Sequence, residues 1–199
     1  SPSSGSSPRS TEIDAAPFPS AEDLDRLPAP TCEAELVSLF GRAPSFLARL
    51  VETRPFVTDE QLVTAAYQLG RELSDADAVE LVNAHPSLAV NGEALSSRAA
   101  APPDGESDEA ELADSAWIDE ELTGLNEVYE DRFGFPYTVF DTGRPRAEII
   151  PLLEVSLRND RDVELRRAVA ECIAVAEDRL RRLRRGSEPE GPEDPVGAA

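Results

Sequence analysis

The sequence predicts an all-α, single-domain helical bundle, and three observations lead there. Apolar residues recur at intervals of three and four in segment after segment, the period of a helix with one buried face. Hydroxyl side chains stand where those segments begin, as helix N-caps do. Only "YTVF", residues 137–140, reads as extended, and a lone extended segment has no strand to pair with.

The elements follow in order. Residues 1–26 open with "SPSSGSSPRS" and are rich in Ser, Pro and acids, so they are expected to form a disordered arm. "LPAPTCEAELVSLFG" predicts a short helix capped by Thr31, carrying Leu36, Val37, Leu39 and Phe40, and ended by Gly41. "APSFLARLVETRPF" predicts another, which must stop before Pro55 because a residue preceding proline is held out of helical geometry. Thr58 with Gln61 has the spacing of a capping box, and its helix bears Leu62, Val63, Ala66, Tyr67 and Leu69 with Gly70 near the end. Ser74 with Asp77 starts the next, which Pro86 ends near His85. Residues 89–107 read as a long loop, the kind that is usually functional or mobile. "DEAELADSAWIDEELTGLNEVYEDRF" predicts a long helix whose apolar face is Leu112, Trp117 or Ile118, Leu122, Leu125, Val128 and Tyr129. Gly134 and Pro136 break it. "RPRAEIIPLLEVSLRND" returns to helix, with Pro145 suited to the first helical position and Pro151 marking a kink. The last helix, about 161–185, lines up Leu165, Val169, Cys172, Ile173, Ala176, Leu180 and Leu183. It ends in "RLRRLRR", cations at the negative pole of the helix dipole. Residues 186–199 read as a second disordered tail, leaving 27–185 as the folded domain.

Bulk composition narrows the function. Forty acids against 19 bases give a formal charge of −21, which argues against nucleic acid, since phosphate binding needs a basic face. Such a surface suits a cationic partner or simple solvation. No apolar run approaches the roughly 18 residues of a membrane span, and no apolar signal core opens the chain. Every base is Arg, so chemistry that needs a lysine is excluded. There is no Met, so the chain is expected to be processed or part of a longer protein. Cys32 and Cys172 are too few for a disulfide framework, and with a single His they make a zinc site improbable. Cys172 falls on a helical stripe, where core packing is the ordinary role.

The residues able to carry chemistry are few. His85, the only histidine, follows the last turn of a helix and precedes a proline that restricts its backbone. It serves either as a proton donor and acceptor near neutral pH or as a surface or capping residue. Acids crowd residues 104–121; most must be solvated, and one can pair with His85. The sharp turn at Gly134–Pro136 either presents backbone amides to a small planar anion or is a corner packed with aromatics. Arg144 and Arg146, near a helix start, are either solvated or directed at an anion.

These pieces stand in one order. "NAHPSLA", then "LNEVYEDRFGFPY", then "GRPRAEII" and the spacing "L.ND…E…A…I..IA..RL" together resemble the family of 2-oxo-4-hydroxy-4-carboxy-5-ureidoimidazoline (OHCU) decarboxylase, over roughly residues 27–183. The resemblance implies a mostly helical fold, commonly a homodimer, and a cofactor-free decarboxylation in uric acid degradation that yields (S)-allantoin from a ureide substrate, with no metal. It implies a His, a Glu and an Arg around the substrate, with the ring held by the F-G-F-P corner. His85 matches the catalytic His, with Pro86 beside it, and Phe135, Pro136, Tyr137 and Thr138 match the corner, where the family's F-G-F-P-F has Phe in place of Tyr137. Glu109 is the preferred match for the Glu, which puts Ala110 where the family has Gln; Glu106 is the alternative. The family's Arg falls on Ser156, and Arg158, two positions on, is the nearest guanidinium. These departures keep a second expectation open, a weakened or inactive relative that serves as a binding or scaffold domain. The chain lacks the Ser-Lys-Leu ending of peroxisomal relatives, so a cytoplasmic setting is expected.

Overall fold

The last helix is the spine of the fold. The computed structural model describes residues 18–85, 109–140 and 145–186. In order they form α1 (Ala21–Arg26), α2 (Ala29–Phe40), α3 (Pro44–Glu52), α4 (Asp59–Arg71), α5 (Asp75–Asn83), α6 (Glu109–Phe133), a 3-10 turn (Arg146–Glu148), α7 (Ile149–Ser156) and α8 (Arg161–Gly186). No strand occurs among the described residues. α8 packs against α2, α4, α5 and α6, because its apolar stripe of Leu165, Ala168, Val169, Cys172, Ile173, Ala176 and Leu180 is buried along its length. Each such large side chain contributes roughly 1.5–3 kcal/mol on burial. α7 packs on α6, with Ile149 and Leu153 turned inward.

Local signals explain the helix starts. Thr58 Oγ1 accepts from the Gln61 amide at 3.2 Å and Ser74 Oγ from that of Asp77 at 3.2 Å, so both predicted caps are made. Ser20 does the same for Asp23 at 3.1 Å. Thr31 does not cap α2: that helix begins earlier, after Pro28 and without a side-chain cap, with Pro30 in its first turn, where a missing N–H costs nothing. Gly41 ends α2 with φ of 72° and ψ of −173°, a conformation open to essentially no residue with a Cβ.

Several expectations need correction. The N-terminal arm was expected to be disordered to residue 26, yet α1 is helix with Leu24 fully buried. It is held from outside: Arg54 Nη1 donates to the carbonyls of Leu24 and Leu27, and Asp25 accepts the amides of Phe56 and Val57. Charged hydrogen bonds of this kind contribute roughly 1.5–3 kcal/mol each. On α6, Trp117 and Val128 are exposed, and the buried residues are Leu122, Asn126, Tyr129 and Phe133. The apolar-face reading missed a polar residue whose amide has work inside. Pro151 makes no kink in mid-helix, since α7 starts only at Ile149. Pro145 precedes the 3-10 turn. Of the two arginines beside it, Arg146 is half-buried and pairs with Asp119 of α6 at 3.0 Å, with its Nε buried and without a hydrogen-bond partner among the described residues; Arg144 lies outside the described residues. So do the loop at 89–107 and the tail beyond 186.

Candidate active site

His85 is placed by the end of α5. Ala84 closes the helix, and the ring turns inward to 5% exposure. Nδ1 lies 3.0 Å from the Leu81 carbonyl. A carbonyl only accepts, so Nδ1 carries the proton and the neutral ring presents Nε2 as its base. Nε2 is buried and has no hydrogen-bond partner. Burial pushes the His85 pKa below its ordinary value; the Leu81 carbonyl opposes that, and the Arg179 guanidinium adds to it. The Cys172 carbonyl is close enough to favour imidazolium slightly, though not in hydrogen-bond geometry. The outcome is a neutral imidazole at pH 7 with an unengaged basic nitrogen, facing α8.

The second element the sequence singled out is the corner after α6. Gly134 has φ of 81°, which reverses the chain at no steric cost. Phe135 and Tyr137 then fold back onto Tyr129 and Phe133, with ring centroids 4.7–6.0 Å apart. Arg161 lies 5.8 Å over Phe135 and Arg167 4.7 Å over Tyr137. The aromatic-corner reading therefore describes the side chains. The amides are a separate matter. Tyr137 donates to Asn126 Oδ1 at 3.1 Å and Phe140 to Glu171 at 2.6 Å. Between them, the amides of Thr138 and Val139 have no acceptor among the described residues. Thr138 Oγ1 is buried without a hydrogen-bond partner.

Cys172 of α8 lies next to both His85 and the corner. Its carbonyl lies by His85 and its thiol by the Thr138 hydroxyl. Burial pushes the thiol up to about 12, so it stays protonated and serves as packing, not as a nucleophile. Beneath the corner lies a buried network. Glu164, fully buried, accepts from Tyr129 Oη at 2.8 Å, from Asn159 Nδ2 at 2.9 Å and from Arg167 Nε. Arg167 passes the restraint on to the Thr138 carbonyl at 2.8 Å. That bond fixes the Thr138–Val139 peptide, whose N–H has no acceptor among the described residues.

The positions expected from sequence sort as follows. His85 and Thr138 face the same segment of α8; Phe135 and Tyr137 are buried and Pro136 half-buried in the corner. Arg158 is exposed in the turn after α7, two residues past Ser156. The guanidinium near His85 is instead Arg179, half-buried on α8, with Nη1 donating to the Leu39 carbonyl at 2.9 Å. Its signal was in the sequence: Arg179 follows Cys172 by two helical turns, a lone cation on the apolar stripe. Ser156, at the family's Arg position, is buried beside the Tyr137 phenol. That phenol stands where the family motif ends in Phe, so the serine answers a hydroxyl the motif lacks. Glu109 begins α6, but its side chain lies outside the described residues, as do Pro86 and Glu106. Asn126 and Glu164 were missed because a buried amide and a buried acid break no periodicity.

Comparison with known proteins decides the family, for the family model described as OHCU decarboxylase matches residues 25–181. The chain belongs to the OHCU decarboxylase family. It is 28% identical over 142 residues to a 2-oxo-4-hydroxy-4-carboxy-5-ureidoimidazoline decarboxylase of Haloferax volcanii, covering 71% of this chain and 82% of that protein. A uric acid degradation bifunctional protein of Bacillus sp. (strain TB-90) is 26% identical over 173 residues, 78% of this chain. The match covers 31% of that protein, so the chain spans under a third of the bifunctional relative's length. Two solved structures share the fold. One is an OHCU decarboxylase in the presence of (S)-allantoin, with TM-score 0.58 and 23% identity, covering 74% of this chain and 95% of that one. The other is an (S)-allantoin synthase, with TM-score 0.60 and 19% identity, covering 83% and 54%. The all-α expectation holds.

Proposed function

We propose that the chain catalyses the cofactor-free decarboxylation of OHCU to (S)-allantoin. The observation that carries this is the buried, neutral His85 with Nε2 unengaged, beside Arg179 and across Cys172 from the free amides of Thr138 and Val139. The bond from ring carbon to carboxylate breaks, CO2 leaves, and its electron pair passes into the ring as an enolate-like anion. Peptide N–H groups already fixed in place stabilise such charge without reorganising, and Arg179 adds a cation. His85 Nε2 takes the hydroxyl proton, with Glu109 as its orienting partner. A proton then returns to one ring face, which sets the (S) product.

Pro86, Phe135, Pro136, Tyr137 and Thr138 form the binding wall in this reading, and Arg179 replaces Arg158. The scaffold alternative drew on Ser156, Ala110 and the 89–107 loop, and a guanidinium near His85, Arg179, favours the catalytic reading over it. The reading includes a homodimer working in the cytoplasm. Exposed Trp117 and Val128 share one face of α6, three turns apart, and Leu152 and Val155 are exposed on the neighbouring α7; exposed apolar groups of that size suit a subunit contact. The test is to supply freshly made OHCU and follow (S)-allantoin by circular dichroism. Turnover above the spontaneous rate, lost in His85→Ala, is expected. No rate above the spontaneous one rejects the proposal.

A further inference from the structure

The C-terminal turn of α2 touches both groups on which the proposed chemistry depends. Leu39 offers its carbonyl to Arg179 at 2.9 Å. It belongs to the last turn of a helix, where carbonyls lack intrahelical partners and carry the negative end of the dipole. Two residues on, Gly41 lies so close to α5 that a Cβ there would stand 2.4 Å from the Ala84 carbonyl oxygen and 3.1 Å from the Ala84 Cβ. Ala84 is the residue before His85. The next helix is tied to α5 as well: Glu80 accepts the Ser45 amide at 2.8 Å and the Ser45 hydroxyl at 3.0 Å. Ala43, between these contacts, is fully buried.

We infer that the α2–α3 turn, through Gly41 and Glu80, is a positioning device that sets His85 against Arg179. The inference rests on the reading that these two groups act on the substrate. Gly41 acts by what it lacks: any side chain would push the last peptide of α5, and with it the imidazole, away from α8. Glu80 acts by what it holds, since its carboxylate keeps the start of α3 on the flank of α5 and the turn cannot slide. Neither residue touches substrate. A displacement near 1 Å at such a distance from the chemistry costs about 10²-fold in rate.

The single histidine makes a direct test available. Its ring carbons and nitrogens give one set of NMR signals, so the His85 titration and tautomer are read without substrate. In the full-length chain, Gly41→Ala is expected to keep its helical circular dichroism, raise the His85 titration midpoint as burial is lost, and lower kcat about 10²-fold. Glu80→Ala is expected to shift the midpoint the same way. Glu80→Gln, which can still accept the Ser45 amide, restores it. Gly124→Ala, where an added Cβ meets nothing within 4 Å, leaves both readouts as in the parent. If Gly41→Ala does not fold, the Glu80 pair decides. A folded Gly41→Ala with an unmoved His85 signal overturns the inference, as does a Glu80→Ala signal matching that of Glu80→Gln. A parent chain inert toward OHCU rejects the proposed function, while the signals still decide the positioning.

Discussion

Arg179→Ala removes the cation beside His85, and the structure sets the size of three effects. The first is on rate. Losing one donor to a developing anion costs about 10²–10³-fold, or about 2.7–4 kcal/mol of transition-state stabilisation. Arg179 is half-buried on α8 with Nη1 already committed to Leu39, so Nη2 and Nε are the groups left for substrate. The second effect is on His85. The guanidinium disfavours imidazolium, so its removal raises the His85 pKa back toward the ordinary value of about 6.5. The third is on stability: the Leu39 carbonyl loses a charged partner, at a cost of roughly 1–3 kcal/mol. The assays are stopped-time circular dichroism on fresh OHCU, NMR titration of the single histidine, and thermal melting. A folded variant within threefold of the parent kcat would refute the assignment of Arg179, and a His85 midpoint that fell would refute the electrostatic argument.

Three further outcomes follow from the same geometry. Because the native pKa of His85 is depressed, the neutral ring's contribution to stability is fully present above about pH 6.5 and is lost as pH falls through the lower native value; the melting temperature of the parent relative to His85→Gln should decline over that acid window, and kcat/KM should fall over it too. Glu164→Ala leaves the Tyr129 hydroxyl and the Asn159 amide without their buried acceptor and Arg167 with Glu171, 3.9 Å away, as its only carboxylate, which costs about 1–3 kcal/mol and is measured by urea unfolding; no measurable loss would deny that the network supports the fold. Tyr137→Phe restores the family's residue and leaves Ser156 without its phenol, so it should lower stability by about 1 kcal/mol and leave kcat within threefold; a larger rate loss would mean that the phenol reaches the substrate.

The amphipathic period of α8 and the caps at Thr58 and Ser74 were legible because each depends on neighbours in the chain. His85 was legible because a lone imidazole before a proline is conspicuous. Arg179 was harder. Its partners, the Leu39 carbonyl and His85, come from α2 and α5, and no spacing within α8 reveals what another helix offers it. The same holds for α1, whose order depends on Arg54 and Asp25 closing across the turn before α4. Asn126 reads as an ordinary polar residue until the corner returns over it and needs an acceptor for Tyr137. Ser156 reads as the loss of a functional arginine, whereas in the fold it lies beside the Tyr137 phenol that the family motif does not have.

A crystal structure with (S)-allantoin soaked into the chain tests the central claim most directly. The account predicts the ureide ring within hydrogen-bond distance of His85 Nε2 on one side and of the Thr138 and Val139 amides on the other, with Arg179 at its edge. Allantoin bound elsewhere, with Nε2 still unengaged and those amides untouched, would contradict it.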